Sequence, residues 1–287
     1  MEKLQFIPNT RLHSPHGRRP FIYDARFLPN GVAKPVIIFI HGFKGFKDWG
    51  HFNLIADSFA QEGFVYIKLN LSHNGTTPEK PMDFADLEAF GQNNFSIELD
   101  DLDTLLDHLE KGESAIPAGE MDFSRLSLIG HSRGGGLAML KTAEDPRVKA
   151  CVSWAGIHDL SKRWPEEFIE DWRKKGVQYI YNSRTNQQMP LYFQLAEDFT
   201  DNKERLDIPT AVANMEQPLL LIHGTADETL PYQMAEEMKR WKPDAELFLV
   251  ENANHTFGAK HPYENSVLPP DSQIVARRTL EFLKKVI

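Results

Sequence analysis

Ser132 stands at the centre of Gly130-His131-Ser132-Arg133-Gly134, with a glycine two places to either side. The apolar stretch Leu126–Ile129 precedes it and reads as a strand, while Leu137-Ala138-Met139-Leu140-Lys141 begins a helix after it. This is the G-x-S-x-G pattern of a nucleophile held at a tight strand-to-helix corner. Side chains at the −2 and +2 places would collide with neighbouring backbone, so Gly130 and Gly134 fit there for steric reasons. The corner is expected to strain Ser132 and to lift its Oγ clear of the sheet. The helix N-terminus behind it favours nearby negative charge.

A serine hydroxyl is a poor nucleophile at neutral pH. It needs an imidazole to take its proton and an acid to orient that imidazole, and in this pattern both follow later in the chain. Asp227 in His223-Gly224-Thr225-Ala226-Asp227 lies just past a strand and is the preferred acid over Asp159 and the adjacent Glu228. His255 in Asn254-His255-Thr256-Phe257 sits in a small-residue loop and is the preferred base over His261. An acyl transition state also needs donors for its oxyanion. The N–H of Arg133, directly after the nucleophile, is one. The N–H of Phe43, in the loop His41-Gly42-Phe43 after an apolar strand, is the other. His131 and His223 flank this chemistry and read as packing or backbone-bonding residues.

These residues must be carried by a scaffold. Pro35–Ile40, Phe64–Asn70, Val148–Ala155, Pro218–Gly224 and Glu246–Val250 read as strands, and Phe21–Leu28 as an alternating one. Helical patterns lie between them, with Phe95, Leu99, Leu102, Leu106 and Leu109 at helical spacing, and a closing helix over Ile274–Ile287. The alternation predicts an α/β fold with a mainly parallel sheet covered on both faces.

One segment breaks the alternation. Residues 157–217 read as an insertion into a core made of residues 1–156 and 218–287. It is expected to hold a helix over Trp164–Lys175 and a hairpin of Val177–Tyr181 and Met189–Phe193, joined by the polar, exposed tip Asn182–Gln188. Its place at the sheet's carboxyl edge predicts a lid or pocket role. Tyr179, Tyr181, Tyr192 and Phe193 are then candidates to line an acyl pocket, while packing of the segment onto the body is the equal alternative for each of them and for Trp164 and Trp172.

Composition sets the outer bounds. The chain has 287 residues and a formal net charge of −9, with 41% hydrophobic and 25% charged residues. That balance disfavours nucleic acid and anionic membrane as partners. The single cysteine, Cys151, excludes an intramolecular disulfide framework and a Cys-rich zinc site, and its apolar neighbours predict burial. No signal-like core and no spanning run is seen, so a cytoplasmic protein is expected, with a homodimer left open. The acidic residues Glu98, Asp100, Asp101 and Asp107 read as a solvated helix face rather than a metal site.

Taken together, the elbow, the His41-Gly42-Phe43 loop, His223–Asp227 and Asn254–Phe257 resemble the α/β-hydrolase superfamily from about Phe21 to the C-terminus. Within it, the HGF-x-G loop and the hairpin-bearing insertion look like bacterial cinnamoyl (feruloyl) esterases and related carboxylesterases. The resemblance implies an eight-stranded, mostly parallel sheet, a Ser132–His255–Asp227 triad, no cofactor and a pocket roofed by the insertion. Asn70-Leu71-Ser72-His73-Asn74-Gly75 departs from the D-x-x-G-H-G-type loop of such esterases. Dienelactone hydrolases are similar too, but they carry a cysteine nucleophile where Ser132 stands. The implied activity is hydrolysis of small-molecule carboxylic esters, with short or aryl acyl groups favoured. A serine aminopeptidase, a thioesterase and a non-catalytic binding protein on the same fold are the alternatives.

Overall fold

The computed structural model describes residues 3–160 and 164–287; residues 161–163, inside the expected insertion, and residues 1 and 2 lie outside the described part. Eight strands form one sheet: β1 (Gln5–His13), β2 (Pro20–Phe27), β3 (Lys34–Ile40), β4 (Val65–Asn70), β5 (Met121–His131), β6 (Val148–Trp154), β9 (Leu219–Gly224) and β10 (Glu246–Val250). Their order is β1-β2-β4-β3-β5-β6-β9-β10. From β4 to β10 every neighbouring pair runs parallel. β1 on β2 and β2 on β4 are antiparallel.

β3 shows how the sequence builds the layers. A strand points successive side chains to opposite faces. Ile38 and Ile40 join the core on one face, while Ile37 and Phe39 join the core on the other. Both sets are buried, which is why the strand reads as a continuous apolar run. On one face lie α1 (Phe52–Gln61) and α9 (Pro270–Val286), through Ile55, Phe59, Phe282 and Leu283. The other face takes α3 (Phe95–Glu110), α4 (Arg133–Glu144) and α8 (Gln233–Trp241), through Leu102, Leu137 and Met238. Cys151 is buried in that second core.

Two features depart from the sequence expectations. β1 carries no apolar alternation, because it is an edge strand with mostly exposed residues and a bulge between Ile7 and Thr10, where Asn9 has φ 50°. The acidic face of α3 is not uniformly solvated. Glu98 and Asp101 are buried; Glu98 pairs with Arg133 at 2.7 Å, and Asp101 accepts the Ser72 N–H at 2.7 Å.

Between β6 and β9 the chain forms α5 (Glu166–Lys175), the hairpin β7 (Val177–Asn182) and β8 (Gln187–Tyr192), α6 (Gln194–Asp201) and α7 (Ile208–Asn214). β7 and β8 make a sheet of their own. Trp172 anchors the segment: it is fully buried, its Nε1–H donates to the Leu191 carbonyl at 2.8 Å, and the rings of Trp164, Phe168 and Phe193 surround it. Among the described residues, no helix is long and apolar enough to cross a membrane. Nor do they contain a group of three or more His, Cys, Asp or Glu that could hold a metal ion.

Candidate active site

β5 delivers Ser132 to its carboxyl end, and α4 begins one residue later. Ser132 has φ 58° and ψ −120°, a conformation that costs an L-residue free energy. Its surroundings hold it there. The Ser132 N–H donates to the Trp154 carbonyl on β6 at 2.9 Å, and its own carbonyl accepts from Gly135 and Ile157 at 3.0 and 3.2 Å. The flanking glycines are sterically required. A Cβ on Gly130 would lie 1.9 Å from the Gly134 oxygen, and one on Gly134 would lie 2.2 Å from the Ile40 oxygen.

Two further loops meet at this corner. His255, on the loop after β10, places Nε2 3.0 Å from Ser132 Oγ and Nδ1 2.7 Å from Asp227 Oδ2. Asp227 lies in the loop after β9, its side chain shut off from solvent. Its Oδ1 accepts the N–H groups of Thr229 and Leu230, both at 2.8 Å. Burial alone would raise the carboxyl pKa. The hydrogen bonds from His223 and His255 and from the Leu230 N–H outweigh it and hold Asp227 well below the usual carboxylate range. Asp227 is therefore a fixed anion.

His223, read from the sequence as a packing or backbone-bonding residue, is a direct partner of that acid. Its Nε2 lies 3.0 Å from Asp227 Oδ2 and 3.0 Å from the Leu230 carbonyl, with the ring fully buried. His131 does bond backbone: its Nε2–H donates to the His255 carbonyl at 2.9 Å. Burial, reinforced by the neighbouring His255 imidazole, pushes the His131 pKa down to about 3, so it serves as a neutral donor. The rival residues go elsewhere. His255 Nδ1 meets Asp227 rather than Asp159. Glu228 is exposed. His261 Nδ1 accepts the Gly50 N–H at 2.9 Å.

The loop after β3 closes over the same corner. A Cβ on Gly42 would sit 3.0 Å from Ser132 Cβ and 3.1 Å from the His131 oxygen, so the close approach favours glycine. His41 fixes the loop from inside. Its Nδ1–H donates to the Gly42 carbonyl at 2.9 Å, which leaves Nε2 to accept from Asn74 Nδ2 at 3.3 Å. Burial holds His41 neutral, with its pKa lowered to about 4. Asn74 also donates to the Gly45 carbonyl at 3.3 Å, and Asn70 accepts the Lys47 N–H at 2.6 Å. The loop's exit is pinned by three buried charges and one partly buried one: Lys47 and Lys68 both donate to Asp24 Oδ2, at 2.7 and 2.9 Å, and both also reach the partly buried Asp48. The Arg133 side chain runs back into the body, with Nε on Glu98 at 2.7 Å and its guanidinium 3.9 Å from the Phe95 ring centre.

A cavity of about 210 Å³ opens in front of Ser132 and His255. Phe43, Trp49 and Phe52 supply its aromatic wall, and Lys44, Asn182 and Arg184 its polar one. None of the four insertion aromatics expected in the pocket lines this cavity. Strand parity explains two of them: Asn182 at the end of β7 faces inward and is buried, so Tyr179 and Tyr181, on the opposite parity, are 60% and 52% exposed. Distance along the hairpin explains the others. Tyr192 pairs in register with Val177, at the end away from the tip, and its hydroxyl donates to Glu88 Oε2, on α2 (Leu87–Gln92), at 2.5 Å. Phe193 packs on Trp172. The tip is not simply an exposed polar turn either. Arg184 lies 5.2 and 5.4 Å from the Phe46 and Phe84 ring centres, and Gln187 Nε2 donates to the Phe84 carbonyl at 3.1 Å.

Comparison with known proteins places this geometry in context. Est1E from Butyrivibrio proteoclasticus, solved with ferulic acid bound, superposes with a TM-score of 0.71 at 15% identity, covering 96% of this chain and 98% of Est1E. A dienelactone hydrolase from Anabaena variabilis ATCC 29413 superposes with a TM-score of 0.65 at 18% identity over 99% of both chains. At such identities the likeness shows the fold. In sequence, YitV of Bacillus subtilis (strain 168), a protein named only as a candidate esterase, is 26% identical over 213 residues, 74% of this chain and 76% of YitV. The 20-hydroxy-prefusarin hydrolase FUS2 of Gibberella moniliformis is 36% identical over 92 residues, but only 22% of its length is covered. The model of the dienelactone hydrolase family matches residues 24–287, nearly the whole chain. An α/β hydrolase built on an eight-stranded sheet, this chain belongs to the dienelactone hydrolase family.

Proposed function

We propose that the protein is a serine hydrolase of carboxylic esters that works through an acyl-enzyme on Ser132. The observation that carries this reading is the unbroken line from Ser132 Oγ to His255 Nε2 at 3.0 Å and from His255 Nδ1 to Asp227 Oδ2 at 2.7 Å, at the mouth of a cavity. As Oγ attacks the acyl carbon, His255 Nε2 takes its proton. The imidazolium so formed is stabilised by the Asp227 carboxylate. His255 then returns the proton to the departing alkoxide, and the same base activates the water that frees the acid.

The developing oxyanion would lie between the N–H groups of Arg133 and Phe43. Arg133 heads α4, and the first N–H groups of a helix have no partner within it. The close approach of Gly42 to Ser132 supports the next N–H in the chain, that of Phe43, as the second donor. In this reading residues 157–217 act as a lid, supported by Asn182 and Arg184 in the cavity wall. The small volume and the rings of Phe43, Trp49 and Phe52, rather than the hairpin aromatics, favour short or aryl acyl groups.

The test compares kcat/KM for acetate, butyrate, a long-chain ester and methyl ferulate, together with fluorophosphonate labelling. Ser132→Ala should abolish labelling and lower turnover on the order of 10³-fold or more. Near-normal turnover in that variant would move the nucleophile elsewhere, with Ser72 and Ser153 the first to examine. A clear preference for the long-chain ester would defeat the account of the pocket.

A further inference from the structure

In the proposed chemistry Arg133 acts only through its backbone N–H, yet its side chain is charged and buried. The guanidinium reaches from the head of α4 to α3, where Nε donates to Glu98 Oε2 at 2.7 Å, with both side chains 5% exposed or less. Among the described residues, Glu98 is the one carboxylate paired with it, and the buried Nη2 has no hydrogen-bond partner. The guanidinium carries five donors, so its place is not the one that satisfies most of them. It lies instead against two rings. Cζ is 3.9 Å from the centre of Phe95 and 5.8 Å from that of Phe43.

Phe43 belongs to the loop after β3, and Arg133 follows Ser132. This contact therefore joins the two residues whose N–H groups are assigned to the oxyanion. The charge is felt further back in the same loop: burial leads the lowering of the His41 pKa, and Arg133 adds to it. Glu98 is itself held, since its Oε1 accepts from Asn93 Nδ2 at 2.8 Å. The end of α3 that carries it is fixed twice. Asn94 Oδ1 accepts the Ile97 N–H at 2.8 Å, and Asp198 Oδ2, on α6, accepts the N–H groups of Phe95 and Ser96, both at 3.1 Å. Holding α3 against α4 does not call for such a pair. Leu102 and Leu137 already share one apolar core there, and a buried ion pair adds little net stability over apolar packing.

We propose that Glu98 is a positioning residue for the oxyanion site: it holds the Arg133 guanidinium against Phe43 and so fixes the Phe43 and Arg133 N–H groups at one separation. This rests on the reading of Ser132 as the nucleophile and of those two N–H groups as the donors. Glu98 makes no bond to substrate. Donors stabilise a developing oxyanion by being in place before the charge appears, so a loosened pair weakens the transition state and spares ground-state binding.

The test measures kcat and KM for a 4-nitrophenyl ester in wild type, Glu98→Ala, Glu98→Gln and Arg133→Met, each checked for folding by circular dichroism. Glu98→Ala should lower kcat on the order of 10- to 100-fold, with KM within about twofold of wild type. Glu98→Gln keeps an acceptor oxygen and should recover part of the loss. Arg133→Met leaves the backbone N–H in the chain but removes the brace. It should fall as far as Glu98→Ala, and adding Glu98→Gln to it should cost nothing more. Glu98→Gln and Arg133→Met carry the test if Glu98→Ala does not fold. A second readout separates positioning from stability. A trifluoromethyl ketone becomes an oxyanion on Ser132 and should lose affinity in step with kcat/KM; the matching secondary alcohol forms none and should bind as before. Wild-type kcat in the folded variants, or equal loss of affinity for ketone and alcohol, overturns the proposal. Wild type that hydrolyses no ester and takes no fluorophosphonate on Ser132 overturns the underlying reading together with it.

Discussion

The carbonyl of His255 accepts a hydrogen bond from the imidazole of His131, 2.9 Å away, and His131 is the residue immediately before Ser132. The loop carrying His255, the proposed base, is therefore tied by a direct bond to the strand that leads into Ser132, the proposed nucleophile. Replacing His131 by Phe leaves a buried carbonyl unpaired, at a cost of about 1–3 kcal/mol. Turnover should fall roughly 10-fold with KM little changed, as His255 loses its fixed distance from Oγ. His131→Gln, which retains a donor, should restore part of kcat. Equal kcat in wild type and His131→Phe would show that the bond does not position the base.

Asp227 accepts from two imidazoles and two backbone N–H groups. In Asp227→Asn one oxygen becomes an NH₂ group that must face one of these donors. Turnover should drop on the order of 10²–10⁴-fold. Asp159→Asn should leave it close to wild type. The opposite ranking in steady-state kinetics would reassign the acid.

Asp24 holds Lys47 and Lys68 inside the protein, all three side chains being 3% exposed or less. Asp24→Ala leaves two buried ammonium groups with Asp48 alone, a change expected to cost about 3–5 kcal/mol. Urea unfolding measures it. Lys47 leads directly out of the loop after β3, so residual folded enzyme should also lose turnover. A loss of stability under about 1 kcal/mol would mean that water already reaches these charges.

His41 and His51 have pKa values lowered to about 4, and His131 to about 3, with burial the leading cause in each. An unfolded imidazole protonates near ~6.5. As pH falls through the window from about 6.5 to 4, the unfolded chain takes up protons that the folded chain refuses, so stability must decline with acidity. Denaturation midpoints at pH 7.5, 6 and 5 should decrease in that order. His51→Asn should flatten the slope. A midpoint independent of pH in this range would show that these rings are charged in the folded state.

The line from Ser132 through His255 to Asp227 was legible because the chemistry proposed for it restricts residue type and order. Gly130 and Gly134 announce the corner, and a serine there demands a later acid and base. What the sequence concealed was set by direction and depth. Tyr179 and Tyr181 carry the aromatic surface that suggests a pocket, yet they share a strand parity opposite to Asn182. Counting inward from the tip by twos would have singled out Asn182 instead. Glu98 and Asp101 read as solvated because an acidic helix face usually is; their partners, Arg133 and Ser72, lie far away in the chain. His223 showed no outward sign of serving Asp227. A spacing of four residues across a strand end and a loop has no fixed geometry until the fold supplies it.

Among the described residues, the strands β7 and β8 pair only with each other, not with the eight-stranded sheet. Ser132, Asp227 and His255 sit on loops leaving that larger sheet, whereas Asn182 and Arg184 reach the cavity from the hairpin. Inheritance can therefore act on the two separately. A lineage could exchange the residues between Asn182 and Gln187, and with them what the cavity admits, without disturbing one ladder bond beneath the nucleophile.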